Sequence, residues 1–154
     1  MRHTREMATL RRSLQLLRSF RFEQTHPEIF YGGLAEDTAA LVDNLGRDLG
    51  VQLPGARVLD VGGGPGYFAD AFARHGAHYV GLEPDAGEMS AAGIHLSNSV
   101  RGDGTNLPCA DDSFDVVYSS NVAEHIPNPW DMGEEMLRVT RPGGLTILLS
   151  LIHI

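Results

Sequence analysis

Four of the 18 glycines in this 154-residue chain fall within five positions, Gly62-Gly63-Gly64-Pro65-Gly66, directly after the apolar run Val58-Leu59-Asp60-Val61. Glycines so placed permit a tight turn with positive φ and let backbone N–H groups approach a ligand with no Cβ in the way. Glu83 follows 21 residues after Gly62, at the end of the next apolar run, where a carboxylate can accept two hydrogen bonds from ribose hydroxyls. Together the turn and the acid make a nucleoside site, and two ligands stay open. Gly64-Pro65-Gly66-Tyr67-Phe68-Ala69 satisfies the G-x-G-x-x-A form of the dinucleotide fingerprint, with Glu83 19 residues on, which suits an NAD(P)-dependent oxidoreductase. Asp60 stands against that reading. It lies two residues before the first glycine, where a pyrophosphate would meet like charge in a crevice of reduced dielectric. A carboxylate there suits a cofactor with an amino group and a positive centre.

The elements that must position these groups alternate. Arg57 to Val61, bounded by Gly55 and Gly62, reads as a buried strand, and Pro65 sits where a first helical residue belongs. That helix carries Tyr67, Phe68, Ala71 and Phe72 on its apolar face and stops at Gly76. His78 to Glu83 is a second strand, Asp85 to Ala92 a short helix, and a third strand ends near Val100. Phe114 to Ser119 is a fourth strand. Asn128-Pro129-Trp130-Asp131 then opens a helix running to about Val139, with Asn128 as its N-cap. Pro142-Gly143-Gly144 turns the chain into a fifth strand at 145–149. Alternation of this kind implies a parallel sheet with right-handed crossovers and helices on both faces.

Ahead of this unit, residues 1–50 read as a helical cap and 51–154 as the ligand-binding domain. Met7, Leu10, Leu14 and Leu17 space an amphipathic helix over 7–20, residues 21–32 form an aromatic-rich loop with Tyr31, and Leu34 to Leu49 mark a helix closed by Gly50. Six arginines and two glutamates give residues 1–26 a net charge of +4, leaving −12 for 27–154 and −8 for the whole chain. The basic first helix packs on the domain in preference to lying on an anionic membrane surface. Arg18 and Arg21 interrupt any export-signal core. The acidic balance argues against sequence-independent nucleic-acid binding. A single Cys109 excludes a disulfide framework, and the seven histidines show no ligand spacing, so no structural metal is expected. No apolar run reaches the roughly 18 residues of a membrane span, and a reducing cytoplasm is the simplest location.

The stretch Val58 to Gly66 strongly resembles motif I of the class I S-adenosylmethionine-dependent methyltransferases, and further segments match in order over roughly 56–149. Val80-Gly81-Leu82-Glu83-Pro84 looks like the second-strand motif whose acid binds the ribose, and Met89 holds the place of a hydrophobic residue flanking adenine. Gly102-Asp103-Gly104-Thr105-Asn106-Leu107-Pro108 is similar to the segment whose acid, here Asp103, accepts the adenine amino group. Asp112 to Val117 with Ser119 to His125 resembles the fourth strand and its loop, and Glu135 to Gly144 the helix and turn into strand five. One departure is Cys109, where an aromatic residue commonly follows Leu-Pro. The arginine-rich start and the Asn121-Val122-Ala123-Glu124-His125 segment are similar to uncharacterised actinobacterial members.

The resemblance implies an α/β, Rossmann-like doubly wound sheet and a transferase that binds S-adenosylmethionine and methylates a small molecule. Asp60, Gly62, Gly63, Gly64, Gly66, Glu83, Pro84, Met89, Asp103, Gly104 and Asn121 become its cofactor residues. A noncatalytic adenosylmethionine-binding protein is the reading from a different class. Methyl transfer is an in-line displacement that asks for alignment and exclusion of water more than for catalytic side chains. His125 is the catalytic candidate, because an imidazole in the loop at the mouth of the site can deprotonate an acceptor. A role in ordering the loop through Glu124 weighs equally. Ser119 and Ser120 lack a nucleophile elbow, and Cys109 reads as a small buried hydrophobe.

The family's sheet normally has seven strands, and five are countable here, so the chain reads as truncated after strand five. Leu149 to Ile154 can be encoded by CTG TCT CTT ATA CAC ATC, which matches a transposon-end sequencing adapter. The expectation is that these residues are a read-through artefact.

Overall fold

The computed structural model describes residues 25–90 and 98–150. The amphipathic helix expected over 7–20 lies outside them. Helix α1 spans Pro27–Leu49, strand β1 Arg57–Val61, helix α2 Ala69–Arg74, strand β2 His78–Glu83, helix α3 Ala86–Ser90 and strand β3 Ser99–Arg101. Strand β4 Phe114–Ser120, a 3₁₀ turn at Ala123–His125, helix α4 Pro129–Val139 and strand β5 Thr140–Leu149 complete the order. The five strands are parallel in the order β3-β2-β1-β4-β5. The chain therefore starts at the centre, steps outward through β2 and β3, and returns to the other side of β1. The reversal between β1 and β4 opens a crevice at their carboxyl ends, where this architecture binds ligands.

Two apolar layers flank the sheet. Val58, Tyr79, Val116 and Tyr118 pack beneath Ala35, Ala39 and Val42 of α1 and Ala71 and Phe72 of α2. Leu59, Val61, Leu82 and Val117 pack on Met132, Met136 and Val139 of α4. Both layers exist because β1 and β4 are apolar on successive residues, the pattern of a strand covered on each side.

The elements differ from expectation at four places. Residues 27–32, expected within a loop, are helical. Pro27 supplies a first turn with its φ preset, and a Cβ at Gly32 or Gly33 would meet nothing within 4 Å, so neither glycine marks a constraint that breaks the helix. Gly50, at φ 84°, does close it, donating back to Arg47 and Gly46. The helix expected from Pro65 begins only at Ala69, because Gly64 and Gly66 take φ of 52° and 86° and hold the chain in turns. Asn128 occupies the N-cap position of α4 without a side-chain capping bond. Finally, β5 begins at Thr140 rather than 145. Thr140 pairs with Phe114 and Leu145 with Val116, so residues 141–144 bulge opposite Asp115 alone. Pro142 is tolerated there because its missing N–H lies on an edge strand.

Candidate functional site

A cavity of about 570 Å³ opens at the carboxyl ends of β1, β2 and β4. Gly62, Gly63 and Gly64 form one wall, Leu82, Glu83, Pro84 and Glu88 a second, and Asp103 and Gly104 a third. Ser120, Asn121, Val122, His125 and Ile126 close the side toward β4, and Tyr31, Tyr67 and Phe68 stand at the side of α1. Of the sequence-predicted residues, Asp60, Gly66 and Met89 do not line it.

The glycine turn is tied down by backbone bonds. The N–H groups of Gly62 and Gly63 both donate to the Leu82 carbonyl, at 2.8 and 3.0 Å, and Gly66 donates to Gly63 at 2.9 Å. Gly62, at φ 81°, leaves no room for a side chain: its Cβ would lie 2.3 Å from Val122 Cγ2. Glu83 joins this turn to the next loop. Its Oε2 accepts from the Gly64 N–H and its Oε1 from the Asp85 N–H, each at 3.1 Å. Each oxygen keeps a second acceptor direction for a ligand hydroxyl.

Asp60 lies beneath the turn, buried, and its Oδ2 accepts from the Tyr79 hydroxyl at 2.7 Å. Burial pushes its carboxyl up to about 7, the Tyr79 bond working downward and the Glu83 charge upward. The paired phenol of Tyr79 is raised well above its ordinary value, first by burial and then by the Asp60 charge. Gly63 lies directly over the pair, where a Cβ would come 2.8 Å from Tyr79 Oη and 3.3 Å from Asp60 Oδ2.

Asp103 is held by a local turn in which Thr105 donates both its N–H and its hydroxyl to Oδ1 at 2.8 Å. Those two bonds lower its pKa from the ordinary carboxylate value. The segment that follows is clamped to α4. Glu135 accepts the Leu107 N–H at 2.7 Å, while Arg138 donates to the carbonyls of Leu107 and Cys109 and to Glu135 and Asp111. Cys109 is half-buried against the α4 layer, and burial raises its thiol.

On the β4 side, Ser119 donates its hydroxyl to the Val61 carbonyl at 2.8 Å, joining the two strand ends at the reversal point. Asn121 then takes φ 57°, a left-handed conformation uncommon outside glycine, and donates its N–H to Leu149 at 2.9 Å. This twist starts the turn that brings exposed His125 to the cavity. Glu124, the expected partner of His125, accepts a hydrogen bond from Ser150 at 2.7 Å. Tyr31 stacks on Tyr67, with ring centroids 5.1 Å apart and planes 8° from parallel.

Sequence reasoning missed Tyr79, Tyr67, Phe68 and Glu88. For Tyr79 a signal existed: residues 79, 81 and 83 share one side of β2, and Gly81 leaves the space that the ring of Tyr79 uses. Among the described residues, no helix is long and apolar enough to cross a membrane.

The methyltransferase domain family matches residues 59–148. An uncharacterized methyltransferase of Mycolicibacterium gilvum is 60% identical over 146 residues, covering 92% of this chain and 57% of that protein. The chain thus spans little more than half the length of the curated relatives it matches. The crystal structure of an S-adenosylmethionine dependent methyltransferase from Mesorhizobium loti superposes with a TM-score of 0.55 at 24% identity, over 68% of this chain and 51% of that one. That likeness bears on the fold alone. The [4+2]-cyclase SpnF gives a TM-score of 0.55 at 27% identity, over 71% of this chain and 43% of its own. A five-stranded parallel sheet with a glycine turn at its reversal point, and a family match over most of that sheet, place the chain in the methyltransferase domain family.

Proposed function

We propose that this chain is the cofactor-binding part of an S-adenosylmethionine-dependent methyltransferase that acts on a small molecule in the cytoplasm. The carrying observation is the charge of the cavity. Its walls hold Glu83, Glu88 and Asp103 and, among the described residues, no arginine, with Asp60 beneath the turn. A pyrophosphate meets repulsion there, whereas a nucleoside carrying an ammonium and a sulfonium finds compensating charge. The cradle fits as well, since Gly62 and Gly63 present backbone where any Cβ would collide.

In this reading Glu83 and Asp103 hold the nucleoside through their remaining acceptor positions. Pro84 flanks the base, with Met89 one residue beyond the lining Glu88. Gly62 to Gly64, with Gly104 opposite, shape the passage, and Gly66 closes the turn. When bound, adenosylmethionine supplies an electrophilic methyl group on sulfur. Asn121 and His125 face the space left for the acceptor, and the His125 imidazole takes up the acceptor's proton.

A second reading follows from the cyclase neighbour, which pairs this fold with a different named reaction. In it the chain binds adenosylmethionine without transferring its methyl. Titration calorimetry with adenosylmethionine, adenosylhomocysteine and NAD tests the cofactor. Binding of the first two with no heat from NAD is expected, and tight NAD binding without adenosylmethionine binding overturns it. Release of adenosylhomocysteine during turnover by the full-length relative separates transfer from binding.

A further inference from the structure

Behind the cavity lining, one polar pair lies buried under the glycine turn, Tyr79 with Asp60. We propose that Tyr79 is a positioning residue, whose hydroxyl biases Asp60 toward its carboxylate form beneath Gly63 and so makes the site select a cationic ligand in a pH-dependent way. The inference rests on the cofactor reading above and adds to it the group that sets the charge under the turn.

The geometry is specific. Tyr79 Oη and Asp60 Oδ2 lie 2.7 Å apart, and the main chain of Gly63 is laid over both, at a distance where even a methyl group would collide. Asp60 does not line the cavity, so its charge acts across the turn rather than by contact, in a region where burial limits screening. The groups facing it are few. From β2 come the Tyr79 hydroxyl and, beyond it, the Glu83 carboxylate. From β4 comes Tyr118, paired in register with Asp60, its phenol raised to about 12 chiefly by burial. From α1 comes the Thr38 hydroxyl, beside Tyr118. From α2 comes the ring of Phe72, stacked on Tyr79. Tyr79 is therefore the one neighbour that donates a hydrogen bond to Asp60 among the described residues. Without it, burial and Glu83 both favour the neutral acid.

The sign follows. Removing the hydroxyl raises the pH at which Asp60 ionises, so less of it is charged at neutral pH. Tyr79→Phe keeps the ring and its stacking, and its effect is read by calorimetry on two ligands between pH 6 and 9. For adenosylmethionine, affinity is expected to fall about fivefold at pH 7 and to recover to within about twofold of wild type at pH 9, as a displacement of one pKa unit requires. The ligand's own amino group titrates at about 8 alike for both proteins, so the ratio is the quantity to follow. Methylthioadenosine, which shares the nucleoside but carries no charge, is expected to bind both proteins within about twofold throughout. In an Asp60→Asn background, adding Tyr79→Phe changes adenosylmethionine affinity by less than about twofold. The inference is overturned if methylthioadenosine loses as much as adenosylmethionine, which marks a deformed turn, or if the adenosylmethionine loss is equal at pH 7 and pH 9. A wild-type chain that binds neither ligand overturns the cofactor reading first, and the inference falls with it.

Discussion

The cavity is built from two unlike regions. The turn after β1 is main chain held from within: Gly62 and Gly63 donate to the Leu82 carbonyl, Gly64 to the Glu83 carboxylate, and the Tyr79–Asp60 pair lies sealed underneath. The loop after β4 instead shows side chains to solvent, with Asn121 and His125 exposed and one strained residue setting its direction. Positions fixed by backbone bonds and missing Cβ atoms suit a ligand that never varies. Exposed side chains on a turn can change without disturbing the sheet, which suits the proposed acceptor side. The regions touch where Gly62 faces Val122, so the shape of the first depends on the second.

That division can be broken most forcefully at the contact. Gly62→Ala puts a Cβ within 2.3 Å of Val122 Cγ2 and forces alanine to φ 81°. Adenosylmethionine affinity is expected to fall by about 100-fold or more, since the strain and the clash each cost of the order of 1–3 kcal/mol. Calorimetry reads the loss, and a melting curve shows whether the fold persists. Retained affinity would mean that the turn is not shaped by its glycines.

The outer loop answers differently. His125→Ala is expected to lower turnover by about 100-fold in the full-length protein while adenosylmethionine affinity stays within about twofold, the split expected of a general base. Equal loss in both quantities would move His125 from the acceptor side to the cofactor side, and unchanged turnover removes it from the chemistry.

An effect on stability alone sharpens the inner region. Asp60 has a folded pKa of about 7 against an ordinary 3.8, so the native state holds a proton that the unfolded chain releases. Stability conferred by the neutral acid is full below about pH 4, declines as pH rises, and levels off above about 7. Asp60→Asn is therefore expected to raise the melting temperature of the ligand-free chain at pH 7.5 by several degrees, the equivalent of a few kcal/mol. The gain disappears toward pH 4. A pH-independent difference between the two proteins would show that Asp60 is charged in the folded state throughout.

Much of this was legible in the sequence. The strands β1, β2 and β4 are apolar runs bounded by glycine or turn residues, and the glycine cluster with Glu83 marks the crevice from the residue order alone. The delay of α2 to Ala69 was not legible, since Pro65 fits a first helical turn equally well and only φ at Gly64 and Gly66 decides. The helical state of residues 27–32 was hidden by aromatic residues and two glycines that resemble a loop. The sequence places Asp60 among the cofactor residues. Its burial depends on a cross-strand partner, and such partners follow from register, which one strand's sequence does not contain.

Arg138 holds the segment mostly by its main chain, Asp111 being the one side chain of the segment to which it donates. It donates to the carbonyls of Leu107 and Cys109, while its partner Glu135 accepts the Leu107 N–H. Recognition through backbone atoms is indifferent to what those residues carry. The segment leading from Asp103 to α4 can therefore accept substitutions and still hold its path. Cys109 is held through its carbonyl alone, so the clamp is indifferent to the side chain at that position.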